Sequence, residues 1–81
     1  MMAQSAEADA REVLRIMKFR FGLSAGQSLP EKSIDLVWIE TCPASGGPEA
    51  GIAYAVGHGW LEQVSHRLYH YKLTRTGAAQ V

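Results

Sequence analysis

Between residues 6 and 21, a stretch without glycine or proline, Ala10, Leu14, Met17 and Phe21 recur at helical intervals and Val13 and Ile16 widen the apolar stripe. That 3–4 spacing lines one face of a helix. Ser5 suits an N-cap, Glu7 and Asp9 suit the positive end of the helix dipole, and Gly22 is placed to stop the chain. The pattern predicts one helix over 6–21. "LSAGQS", from Leu23 to Ser28, follows as a loop or a very short extended segment. A second helix is predicted over 28–42. Ser28 and Glu31 have capping-box spacing, Pro30 falls in the first turn, and Ile34, Val37, Trp38 and Thr41 share a face. The run from Ile34 to Ile39 holds four strong β formers, so a strand is the rival reading; capping and periodicity decide for helix. Cys42 to Gly47 is a loop, since Pro43 and the paired Gly46 and Gly47 stop regular structure.

Pro48 to Val56 reads as a short third helix of small side chains, ended by Gly57 or Gly59. Gly51 inside it costs about 1 kcal/mol relative to alanine, and permits a neighbouring helix to come close. After Gly59 two strands are expected, "WLEQV" and "LYHYKL", joined by a tight connection at Ser65-His66-Arg67. Tyr69, Tyr71 and Leu73 would point one way and His70 and Lys72 the other. Thr74 has the look of an N-cap for a final turn through "RTGAAQV". The fold class expected is mainly α with a small antiparallel β-hairpin (α+β). All 81 residues form one unit, with residues 1–5 frayed.

Composition agrees with a single globular domain: 47% hydrophobic and 20% charged residues. Eight Lys and Arg balance eight Asp and Glu, so no net field draws the chain to phosphate. One cysteine, Cys42, excludes an internal disulfide. The polar opening "MMAQSAEADARE" is no signal sequence, and no apolar run approaches the ~20 residues that span a bilayer. A small cytoplasmic protein of bacterial type, without membrane contact, is expected.

Two stretches carry a resemblance. "GIAYAVGHGWLE", Gly51 to Glu62, and "YHYKLTRTG", Tyr69 to Gly77, together with the order of elements, resemble a winged helix-turn-helix domain. In that family a short third helix ends in a Gly-aromatic or Gly-Leu step that opens the wing, here Gly59-Trp60-Leu61. The second wing strand commonly ends in Tyr-x-Leu-Thr-x-x-Gly, here Tyr71 to Gly77. The resemblance covers about residues 8–79 in architecture and implies three helices plus a two- or three-stranded wing sheet. It also implies double-stranded DNA as partner and a role in transcription regulation. On that reading Tyr54 and His58 touch base edges or sugar, while Arg67, Lys72 and Arg75 position phosphates with His66 beside them. Two departures weigh against it: the wing connection is short, and no Lys or Arg lies between Pro48 and Gly59, where Glu49 would repel phosphate. Arg11, Arg15 and Lys18 on the first helix read as solvated surface charges.

The alternative is a protein-interaction winged helix that does not bind DNA and docks a partner through the small-residue surface at Ala50, Ala53 and Tyr54. Self-association would use the first helix or the edge of the hairpin. No catalytic, cofactor or metal site is expected. Cys42, His58, His66 and His70 lack the ligand spacing of a zinc site, and the sequence presents no paired carboxylates or ligand cluster for an enzyme.

Overall fold

A computed structural model describes residues 5–41, 47–65 and 69–81. In chain order these form α1 (Ala6–Arg15), a π turn (Ile16–Arg20), β1 (Ser28–Pro30), α2 (Glu31–Thr41), α3 (Glu49–Gly57), β2 (Leu61–Gln63), β3 (His70–Leu73) and the one-turn α4 (Arg75–Ala78). The three strands make one antiparallel sheet in the order β1-β3-β2. This α+β arrangement, with three helical segments ahead of a hairpin that the early strand joins and one helical turn after it, is consistent with a winged-helix-like layout.

α1 begins as its sequence predicts. The Ser5 side chain accepts the Ala8 amide at 3.1 Å, with Glu7 and Asp9 in the first turn. The helical stretch does not stay α to its end. The Phe21 amide donates to the Ile16 carbonyl at 3.1 Å, an i→i−5 bond, and the last turn widens to a π turn. The consecutive Ile16 and Met17 are both buried in that turn. Gly22 at φ 66° then reverses the chain, the left-handed conformation a Cβ disfavours.

The predicted start of the second helix is corrected. Ser28, Leu29 and Pro30 are a strand, not a capping box and first turn, and α2 starts at Glu31. Ser28 pairs with Lys72, Leu29 with Tyr71 and Pro30 with His70. Long-range pairing outweighs a local capping signal here because it buries Leu29 and satisfies backbone groups of β3. Pro30 is tolerated because β1 is an edge strand, which needs no N–H on its outer side. The rest of α2 follows its periodicity: Ile34, Val37 and Trp38 are buried, and the β-forming run is helical.

The hairpin pairs Leu61 with Leu73, and both are buried. Gly59 at φ 75° turns the chain from α3 into β2. Tyr69 does not extend the second strand. It stands at φ 58° and is exposed, and β3 starts one residue later. The connection expected at Ser65-His66-Arg67 lies outside the described residues from His66 onward, as does Cys42. Thr74 caps α4: its hydroxyl oxygen accepts the Gly77 amide at 3.0 Å and lies 2.6 Å from the Gly59 carbonyl and 2.9 Å from that of Trp60.

One core joins these elements. Leu14 and Met17 from the first helical stretch, Ile34 and Trp38 from α2, Ile52 and Ala55 from α3, and Leu61 and Leu73 from the sheet make one cluster. Each large side chain removed from water in this way stabilises the fold by about 1.5–3 kcal/mol. α1 and α3 form the most extensive contact. Gly51 explains their approach: a Cβ there would lie 2.6 Å from the Asp9 carbonyl carbon and 2.8 Å from the Ala10 nitrogen.

Candidate interaction surface

The sequence-derived site residues scatter over two places. Tyr54 and His58, one turn apart on α3 and at its C-cap, stack on each other with ring centroids 4.1 Å apart. Trp60 closes the group at 5.5 Å from Tyr54 and 5.7 Å from His58, and the Arg11 guanidinium lies 5.0 Å from the Trp60 ring centroid. Tyr54 is half-buried and packs against the core, so it is not the projecting side chain a base-reading role needs. Its neighbours Ala50, Ala53 and Gly57 are exposed and offer no hydrogen-bonding side chain.

Lys72 lies on β3, directly across from Glu62 on β2, and the two form an ion pair at 2.8 Å. Arg75 is exposed in the first turn of α4. His66 and Arg67 lie outside the described residues. The cations of α1 and the π turn are engaged as well. Arg11 meets Glu7 at 3.2 Å, Arg15 meets Glu12 at 3.0 Å, and Arg20 meets Glu40 at 3.4 Å. Lys18 donates to the carbonyls of Ala78 and Val81. Exposed pairs of this kind contribute little to stability, but they neutralise the positive stripe that the first helix presents in sequence.

The corner between α2 and α3 gathers three acidic side chains that lie apart in the sequence. Glu31 opens α2, Asp35 lies one turn on, and Glu49 opens α3. Each presents a carboxylate oxygen within 4.8 Å of the others. The carboxyls of Glu31 and Asp35 are both held above their ordinary values. Burial is the main cause for each. Repulsion from Asp35 and Glu49 adds to it at Glu31, and repulsion from Glu49 adds to it at Asp35. The Tyr71 hydroxyl donates to Glu31, which offsets part of the effect there, and burial together with that carboxylate pushes the phenol upward. One oxygen of Asp35 is buried without a hydrogen-bond partner among the described residues. Asp35 and Glu49 are fourteen positions apart in the chain, across the loop, so no sequence motif marks the group; only the α2–α3 corner assembles it. The expectation that no carboxylates would be paired is thereby corrected.

The opposite character appears on the outside of α2. Leu36 and Ile39 are 61% and 67% exposed, and Lys32 and Glu40 flank them on the exposed side. Phe19 and Phe21 are also exposed, on either side of the Arg20 that reaches Glu40. Among the described residues no helix is long and apolar enough to cross a membrane. No protein-family model matches this chain, and neither a curated protein nor a solved structure does.

Proposed function

We propose that this chain is a non-enzymatic protein-docking module of winged-helix-like layout, which works through the outer face of α2. The observation that carries this is the exposure of Leu36 and Ile39 side by side on a helix whose other face is fully committed to the core. Large apolar side chains left together in water favour an interface. The acidic corner weighs against the DNA alternative. A helix-turn-helix presents the head of its third helix to phosphate, and here that head is Glu49, grouped with Glu31 and Asp35. A chain with one cysteine, and so no internal disulfide, fits a cytoplasmic setting.

One observation favours a second reading, duplex DNA held by the hairpin in a regulatory role. Arg75 is exposed directly after the strand that carries Lys72, and His66 and Arg67 lie between the two strands in sequence. Such binding would be weak in sequence preference and strongly salt-sensitive. The separating experiment is an amide-shift titration of labelled protein with a short DNA duplex at low salt. Unmoved resonances support protein docking. Saturable shifts confined to α3, the hairpin and α4 would replace it with the DNA reading.

A further inference from the structure

We infer that the occupant of the α2 face is a second copy of this chain, packed antiparallel about a two-fold axis through Leu36. The inference rests on the protein-docking reading and names its partner. Lys32, Leu36 and Glu40 follow one another at i, i+4 and i+8, so they stand in a row along one side of the helix. All three are exposed. The row reads positive, apolar, negative. A two-fold interface brings the same patch of both subunits together, so a residue before the axis meets one equally far behind it. With the axis at Leu36, that residue meets its own copy. Lys32, four residues before it, meets Glu40 of the second copy, and Glu40 meets the second Lys32. Ile39 lies on the same side and widens the apolar centre.

A parallel arrangement would oppose Lys32 to Lys32 and Glu40 to Glu40, so the charges select the antiparallel one. Glu40 already touches Arg20 at 3.4 Å, but its side chain is 68% exposed and retains oxygen lone pairs for a second cation. Self-association is therefore assigned to α2, not to the first helix or the hairpin edge as the sequence suggests. The signal is visible only once α2 is known to start at Glu31 and to bury Ile34, Val37 and Trp38, which leaves 32, 36 and 40 outside.

Charge exchange supplies the test. Lys32→Glu alone opposes two carboxylates twice per dimer, and Glu40→Lys alone opposes two ammonium groups twice. Mixed one to one, the two variants restore both attractive contacts in a heterodimer. Sedimentation equilibrium of the full chain should show mass rising towards a dimer from about 10 µM to about 1 mM, the range in which weak association shows. Each single variant should associate at least about tenfold more weakly, since two attractions become two repulsions, and the mixture should recover the wild-type behaviour. Helical circular dichroism, unchanged in both variants, excludes unfolding as the cause. A wild type that stays monomeric across this range overturns the inference, and leaves protein docking to stand or fall by the duplex titration. A dimer unaffected by the single reversals, or one that the mixture does not restore, overturns the α2 assignment.

Discussion

Alanine is a better helix former than glycine by about 1 kcal/mol, so Gly51→Ala should stabilise α3 if only local preference mattered. The packing says otherwise. The new Cβ would sit 2.6 Å from the Asp9 carbonyl carbon and 2.8 Å from the Ala10 nitrogen, where ordinary contact begins near 3.4 Å. Both are backbone atoms of α1, so no side chain can swing aside; the two helices must separate. They share the largest interhelical contact of the fold, with Ala10, Ile52 and Ala55 buried in the core. Overpacking of this kind costs about 1–3 kcal/mol and also loosens the surrounding contacts. The net expectation is a loss of about 1–2 kcal/mol, or roughly 4–16 °C in melting temperature for a domain of this size. Gly57 is the internal control: it is helical, its φ is not positive, and an added Cβ meets nothing within 4 Å. Gly57→Ala should therefore gain stability, by about 0.5 kcal/mol near a helix end. Urea unfolding followed by circular dichroism measures both. A Gly51→Ala variant as stable as the wild type would refute the close approach of α1 and α3.

Thr74→Ala removes the cap of α4 together with the hydroxyl's contact to the Gly59 and Trp60 carbonyls. A loss of about 1–2 kcal/mol is expected in the same assay, largely recovered by Thr74→Ser. The pH dependence of stability should run against the usual trend for carboxylates in this chain. Burial raises the carboxyls of Asp9, Glu31 and Asp35 in the folded state. A raised group binds its proton more readily folded than unfolded, so it favours folding below its ordinary value, 3.8 for aspartate and 4.5 for glutamate. That advantage is lost as pH rises through the folded values. The urea midpoint should fall as pH climbs out of the acid range, and Asp35→Asn should flatten the slope while raising stability at pH 7; a midpoint that rises over the same interval in both proteins would contradict the burial of these groups.

Much of the fold is legible in the residues because local and long-range preferences agree. Ser5, Gly22, Gly59 and Thr74 act as their chemistry predicts, and the two hairpin strands form where the apolar and polar residues alternate. Ser28 to Pro30 is the exception. Its capping-box spacing is real, but three residues are too few to announce a strand, and its partners on β3 lie forty or more positions on. Site residues are less legible than the fold for a related reason. Tyr54 looks projecting in a helix of alanines until His58 and Trp60 close around it. Lys72 looks like a phosphate contact until the register sets Glu62 opposite. The acidic corner depends on how α2 and α3 meet, which no spacing in the chain encodes.

Duplex binding by a charge-neutralised corner tests the central claim most directly. Glu31→Gln, Asp35→Asn and Glu49→Gln together remove the three carboxylates at the heads of α2 and α3 without adding a cation. Fluorescence anisotropy of a labelled duplex, at about 50 mM salt where phosphate contacts are strong, should show no saturable binding by the wild type. Weak, salt-sensitive binding should appear in the triple variant. A wild type that binds the duplex as tightly as the variant would show that the acidic corner does not face the nucleic acid, and protein docking would no longer be the better reading of this surface.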